Sequence, residues 1–325
     1  MKLLFVADPL ESFRIYKDTT FAMMREAQRS GHQVFACEPR DLVWRSGDVV
    51  RAAVRNITLT GRADGWFTEA PVAAFADVVA TAGMALSAFD AVVMRKDPPF
   101  DSEFFYATHL LEQAEREGAR VFNRPAALRN HPEKLAIMEF PAYLSPTLVT
   151  RNANAVRAFH AEHRDIILKP LDGMGGSGIF RVREDGLNLG AIIETLNREG
   201  AQTLMVQKFL PAIAEGDKRV LLIAGEPVPF CLARIPQGGE VRGNLAAGGK
   251  GVAQALTEND WRIARALGPV LAARGLLLVG LDIIGERVTE INVTSPTCFQ
   301  EITDQTGFDV PAMFVRALEK AVDQA

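Results

Sequence analysis

Residues 2–7 (KLLFVA), apolar from Leu3 on, read as a buried strand, and residues 19–29 (TTFAMMREAQR) have the spacing of a helix, with Gly31 placed as its stop. Residues 33–38 (QVFACE) read as a second strand. The rhythm returns as AVVMRKD from Ala91, EFFYATHLLEQAEREG from Glu103 and RVFNRP from Arg120. Strand, helix and strand in succession predict a parallel sheet with crossover helices, so residues 1–130 are expected to form an open α/β domain.

After Pro132 the pattern changes. Extended segments (DIILKP, GIFRV, LMVQKFLP, RVLLIAGEPV and LLLVGLDIIGERVTEINV) meet through Gly-rich turns, and helices come in separate blocks. That is an α+β pattern dominated by antiparallel strands.

Composition narrows the function classes. A chain of 325 residues with 48% hydrophobic content buries a sizeable core and favours two or three packed domains. A formal charge of -4, with acids and bases interspersed, argues against a nucleic-acid partner. Cys37, Cys231 and Cys298 are far apart and in no C-x-x-C pattern, against a disulfide framework or a thiolate metal site. The apolar start is too short for a signal segment, and no stretch approaches the roughly 20 apolar residues of a membrane span. A soluble cytoplasmic protein without a membrane partner is the expectation.

The stretch ILKPLDGMGGSGIFRV carries Gly173, Gly175, Gly176 and Gly178 in one loop, with Lys169 ahead of them. A Walker A loop puts its lysine after the glycines at a helix start, which does not fit, because IFRV is a strand signal. The loop therefore joins two strands, and Lys169 projects from the first. Glycines let backbone N–H groups approach phosphate oxygens, and the lysine adds a point charge; a plain hairpin turn is the alternative. LMVQKFLP could be a hinge whose backbone reads an adenine edge, and Lys134, expected near a helix start, could reach a phosphate.

Asp282, Glu290 and Asn292 are hard oxygen donors on otherwise apolar strands. Glu290 and Asn292 share a face. Asp282 joins them if Ile284 pairs with Val288 across a three-residue loop; a two-residue turn would set Asp282 opposite Thr289, on the wrong face. Arg219 and Arg234 lie on apolar strands and need anionic partners, either structural carboxylates or a substrate carboxylate and phosphate. Residues 235–250 combine five glycines with Arg242 and Lys250, which suggests a mobile flap. A lid over Mg–ATP makes sense for an acyl phosphate, a species that closure shields from water.

MRKDPPFDSEF, ILKPLDGMGG, PAIAEGDKRVL, CLARIPQGGEVRGNLAAGGKG and VGLDIIGERVTEINVTSPT together resemble bacterial glutathione synthetase, of the ATP-grasp superfamily. The similarity runs to about residue 300. It implies an N-terminal Rossmann-like pre-ATP-grasp domain at 1–130, a lid subdomain at 131–210 and a C-terminal subdomain at 211–325, with ATP between two antiparallel sheets. It also implies joining of γ-glutamylcysteine to glycine with release of ADP and phosphate. The cofactor implied is Mg²⁺, with Mn²⁺ a possible substitute, and the assembly a homotetramer.

By the same resemblance, Lys134 and Lys169 are ATP-phosphate lysines, joined by Gly175 and Gly176. Gln207, Lys208, Phe209 and Leu210 form the adenine hinge, and Asp217 contacts the nucleotide. Arg219, Arg234 and Ser295 lie near the dipeptide and the transferred phosphate, with Arg242 in a flexible catalytic loop. Asp282, Glu290 and Asn292 match the metal ligands. Two alternatives stay open: another ATP-grasp carboxylate–amine ligase, and a non-catalytic ATP-binding protein with the same fold.

Overall fold

The computed structural model describes residues 1–71, 83–240 and 242–324. Position 241, inside the glycine-rich segment 235–250, position 325 and positions 72–82 lie outside them.

The N-terminal lobe is built on a six-stranded sheet. Its strands run in the spatial order Phe67–Ala70, Arg55–Leu59, Gln33–Cys37, Lys2–Val6, Ala91–Met94, Val121–Phe122. The last four are parallel, as the strand–helix–strand rhythm predicts. The first two are antiparallel additions on one edge, which the sequence reading did not anticipate. Their residues are buried on one face at most, so they lack the continuous apolar run that marks a central parallel strand. The helix Thr19–Arg29 is N-capped by Asp18, whose Oδ1 accepts from Phe21 N–H at 2.7 Å.

Beyond it stand two fully antiparallel sheets. The smaller has the order Thr147–Thr150, Leu204–Lys208, Ile166–Pro170, Phe180–Val182, and is backed by helices Ala153–His163 and Leu189–Asn197 through Val156, Leu168, Ile193 and Val206. The larger has the order Lys250–Ala255, Glu226–Ile235, Asp217–Ile223, Leu278–Ile284, Arg287–Asn292. The glycine loop, residues 171–179, spans one hairpin of the smaller sheet, where Leu168 pairs with Phe180.

The lobes are tied covalently only through the chain, but several contacts fix their seam. Asn123 donates to Leu278 O at 2.8 Å and Val293 O at 2.9 Å, and accepts from Leu278 N at 2.9 Å. The C-terminal helices Phe299–Thr306 and Val310–Asp323 fold back onto Thr19–Arg29, burying Phe299, Phe314 and Leu318 with Phe21 and Met23 in one core. Arg29–Asp309 and His32–Glu319, each at 2.8 Å, rim that contact. The tail without a recognisable motif is thus a structural brace. No helix among the described residues is long and apolar enough to cross a membrane.

Candidate active site

Three cavities run into one another, the first between the two antiparallel sheets and the third at the seam with the N-terminal lobe. The first shares Asp282, Glu290 and Asn244 with the second, and the second shares Arg219, Asn292 and Gly175 with the third.

The first is a narrow slot walled by Ile167, Ile179, Ile213 and Ile284, with Gln207, Lys208, Phe209 and Leu210 along one side and Lys169, Asp217 and Arg242 at its inner end. The hinge keeps little backbone free. Lys208 N–H is taken by Pro146 O at 3.0 Å and Phe209 N–H by Asp165 O at 2.9 Å, whereas Leu210 N–H has no protein acceptor among the described residues. Arg181 stiffens this edge by pairing with Asp165 at 2.6 Å while its guanidinium lies 3.5 Å from the Phe209 ring centroid.

The lysines stand where the first two cavities meet, Lys169 lining the first and Lys134 the second. Lys134 and Lys169 are both 5% exposed. Lys134 Nζ donates to Gly173 O at 2.6 Å and to Glu290 Oε1 at 3.2 Å; Lys169 Nζ donates to Thr289 O at 3.1 Å. Burial, and then the nearby Lys134 charge, pull the Lys169 pKa down against the field of Glu290. Lys134 does not sit on an α-helix start as expected. It occupies a turn before the 3₁₀ segment Ala136–Glu139, because Pro132 O accepts from both Leu135 and Ala136 and tightens the chain there.

Gly173, Gly175, Gly176 and Ser177 line the second cavity as well. At Gly176 φ is +84°, and a Cβ would fall 2.7 Å from Asn244 Oδ1 and 3.3 Å from Arg242 Cδ. Arg242 Nη1 reaches Gly176 O at 3.4 Å. The 235–250 segment therefore rests on the glycine loop.

The carboxylate strands bring Asp282 opposite Glu290, though not by the expected loop. Ile284 pairs with Arg287 across the two-residue turn Gly285–Glu286, and Ile283 pairs with Val288. A β-bulge then places Thr289 outside the register, so Asp282 faces Glu290 and Gly280 faces Asn292. The odd residue that the convergence requires is in the strand, where nothing in the sequence distinguishes it.

Arg219 and Arg234 find structural partners. Arg219 Nε bonds Asp282 Oδ1 at 2.6 Å and its Nη2 bonds Oδ2 at 3.2 Å. Arg234 Nη2 bonds Asp217 Oδ2 at 2.5 Å and Asp282 Oδ2 at 2.9 Å. Burial alone would lift the Asp282 pKa, but the two guanidiniums outweigh it and hold the carboxylate well below its usual range. Burial pushes Asp217 up to about 6, against the charge of Arg234. Its Oδ1 is buried without a hydrogen-bond partner. Arg287, by contrast, donates to Ala142 O at 3.3 Å and pairs with neither strand carboxylate.

Glu133 was not anticipated. Its Oε1 accepts from Val293 N at 2.9 Å, Thr294 N at 3.1 Å and Thr294 Oγ1 at 2.8 Å, and its carbonyl accepts from Ile291 N at 3.0 Å. Burial first, and then the Glu290 charge, raise its pKa. Its only sequence signal was adjacency to Lys134. Among the described residues no three His, Cys, Asp or Glu side chains are grouped for a metal. The set on the carboxylate strands is instead two carboxylates and the amide of Asn292, whose Nδ2 donates to Gly280 O at 3.0 Å.

The third cavity, of about 600 Å³, is bounded by Arg219, Arg234, Asn292 and Ser295 from one side and by Arg14, Lys17, Asp18, Thr20, Arg95 and Asp97 from the N-terminal lobe. Ser295 Oγ donates to Asp97 Oδ1 at 2.5 Å. Cys298 lines it too, 1% exposed. None of the N-terminal residues was singled out from sequence, although the motif MRKDPPF holds two of them.

Residues 1–129 match the family described as prokaryotic glutathione synthetase, N-terminal domain, and residues 133–307 match its ATP-grasp domain. A glutathione synthetase of Ralstonia nicotianae is 57% identical over 100% of this chain and 97% of its own. Those of Bordetella parapertussis and Nitrosomonas europaea are 56% and 54% identical, covering 99% of this chain and 99% and 98% of theirs. Among solved structures, D-cycloserine synthetase DcsG superposes with a TM-score of 0.68 at 16% identity, covering 98% of this chain and 99% of its own. The ATP-grasp ligase PsnB, complexed with minimal precursor, Mg and ADP, gives 0.61 at 18% identity, over 99% and 98%. At those identities the likeness is one of fold.

Proposed function

The chain belongs to the prokaryotic glutathione synthetase family, and from that premise we propose how its residues divide the work among the three cavities. The enzyme joins γ-glutamylcysteine to glycine with ATP, forming glutathione, ADP and phosphate. The observation that carries the division is the continuity of the cavities: an apolar slot opens onto two buried lysines, and these onto paired arginines.

Adenine occupies the isoleucine-lined slot, where Leu210 N–H is the uncommitted donor of the hinge and Gln207, Lys208 and Phe209 form the wall. The unpartnered Asp217 Oδ1 supports a nucleotide hydroxyl contact there. Lys134, Lys169 and the N–H groups around Gly175 and Gly176 hold the β- and γ-phosphates. Asp282, Glu290 and Asn292 would hold Mg²⁺, or Mn²⁺ in its place. They fit it in donor chemistry: Glu290 Oε2 and Asn292 Oδ1 have no donor among the described residues, Asp282 would share its oxygens with Arg219 and Arg234, and Glu290 and Glu133 are like charges in one space that a cation relieves. PsnB, of the same fold, is described with Mg and ADP, which adds support. When bound, the ion neutralises charge on the phosphates as the phosphoryl group moves.

The cysteinyl carboxylate attacks the γ-phosphorus in line, giving an acyl phosphate and ADP. Glycine's amine then attacks the acyl carbon and phosphate leaves. Arg219 and Arg234, whose Nη1 groups have no acceptor among the described residues, stabilise the oxyanion, Ser295 orients the dipeptide, and Arg242 with residues 235–250 covers the intermediate. No side chain forms a covalent intermediate; burial keeps the Cys298 thiol protonated by raising its pKa.

The lid and C-terminal subdomains are taken as 131–210 and 211–325 after an N-terminal domain at 1–130. A homo-oligomer, a homotetramer by the family resemblance, is the proposed assembly. The cytoplasm is the proposed location, supported by Cys37, Cys231 and Cys298 being free and buried. Phosphate release from ATP tests the activity: it should need γ-glutamylcysteine and glycine together. Release only with other amino-acid pairs would point to a different carboxylate–amine ligase, and ATP binding without turnover to a non-catalytic role.

A further inference from the structure

We propose that Arg95 anchors the α-carboxylate of the γ-glutamyl head of the dipeptide, and that Asp18 and Asp97 take its α-ammonium. This rests on the reading of the third cavity as the dipeptide's chamber.

Arg95 follows the strand Ala91–Met94 and is 4% exposed. Its Nε donates to Thr20 Oγ1 and its Nη2 to Pro296 O, both at 3.1 Å and both neutral. It makes no ion pair among the described residues, whereas the equally buried Arg219 and Arg234 each clasp a carboxylate. A guanidinium taken out of water needs an anion to offset its desolvation, and here the cavity is where one could come from. Burial pushes the Arg95 pKa down to about 10, against the opposing fields of Asp97 and Asp18.

Those two carboxylates line the same cavity. Asp18 accepts from backbone N–H groups only, with Phe21 on Oδ1, and Asp97 uses Oδ1 for Ser295, leaving Asp97 Oδ2 without a donor among the described residues. Arg95, buried without an ionic partner among the described residues, and two anions with spare capacity match a zwitterionic amino-acid head, while Arg14 and Lys17 on the same cavity are less buried. Of the two substrates that carry one, glycine must present a free amine at the arginine end of the chamber, so two carboxylates that keep an amine protonated would hinder it. The γ-glutamyl head takes no part in bond making. Held at Arg95, it leaves the cysteinyl carboxylate to reach across to Arg219 and Arg234.

The test compares γ-glutamylcysteine with 4-aminobutanoyl-cysteine, which lacks the α-carboxylate, and glutaryl-cysteine, which lacks the α-ammonium. With the native enzyme each analogue should lose about 100-fold in kcat/KM, as expected for one lost buried ionic contact. Arg95→Gln should lose a similar factor with γ-glutamylcysteine, mostly in KM, yet lose nothing more with 4-aminobutanoyl-cysteine, and its KM for ATP and glycine should stay unchanged. Equal use of 4-aminobutanoyl-cysteine by the native enzyme overturns the proposal without any variant having to fold. So does an Arg95→Gln penalty of the same size on both dipeptides, or one that falls on the KM for glycine. Failure of the native enzyme to turn over γ-glutamylcysteine at all would instead sink the underlying assignment of the cavity.

Discussion

Lys134 Nζ and Glu290 Oε1 stand 3.2 Å apart across a sequence separation of 156 positions, and join the start of the ATP-grasp region to the last strand of the larger sheet. The same lysine holds Gly173 O. One side chain thereby connects the glycine loop, the second cavity and the strand Arg287–Asn292. Lys134→Ala should lower kcat/KM for ATP at least about 100-fold and leave Glu290 without its cation, costing about 1–3 kcal/mol of stability. Steady-state kinetics with ATP varied, alongside thermal melting, check both; a variant with native kcat/KM would remove Lys134 from the phosphate site.

Glu133 holds the chain just after Asn292 through Val293 and Thr294. Three donors converge on its Oε1 next to Asn292, so Glu133→Ala should cost about 2–4 kcal/mol by leaving them unpaired. Glu133→Gln keeps an acceptor oxygen and should restore most of that stability. If the residue acts by setting Asn292, the Mg²⁺ concentration for half-maximal rate should rise in the Ala variant and recover substantially in the Gln variant. Equal Mg²⁺ dependence in all three proteins would reduce Glu133 to a fold residue.

Deleting Thr289 removes the bulge and restores an unbroken register across the two-residue turn. Glu290 then follows Val288 directly and still pairs with Asp282, as Asn292 does with Gly280, so the oxygen donors stay on one face. Mg²⁺-dependent turnover should survive to within about 10-fold, the loss coming from the Thr289 carbonyl that Lys169 holds. A folded deletion variant, judged by circular dichroism, that has lost Mg²⁺-dependent turnover would contradict the register argument.

Gly176→Ala places a methyl group against Asn244 and Arg242 at a positive φ. Strain alone should cost about 1 kcal/mol. Because the two loops meet there, activity should drop about 10-fold as well. Gly61→Ala is the control: φ is +74° and nothing lies within 4 Å, so it should share the strain and keep the rate. Matching rates in both variants would show that the loop contact has no part in catalysis.

Burial around the arginines shows how far sequence reading reaches. That Arg219 and Arg234 needed anions was legible from their apolar strands; that Asp282 and Asp217 supply them was not, because the partners come from antiparallel register across 63 and 17 residues. His160 shows the same: buried on the helix Ala153–His163, its ring bonds Arg183 O at 2.8 Å from 23 residues away.

By itself the sequence determined the strand and helix runs, the glycine loop between two strands, the lysines that flank it and the oxygen donors near the C-terminus. Each of these is a local property, set by side-chain chemistry and by spacing of two or three residues. Tertiary structure decided the rest: the bulge at Thr289 that turns Glu290 toward Asp282, the clamp from Glu133, and the arrival of Arg95, Asp18 and Asp97 at the cavity. The physical reason is that register and packing depend on residues far apart in the chain, so a slip of one position, invisible in composition or periodicity, changes which groups meet.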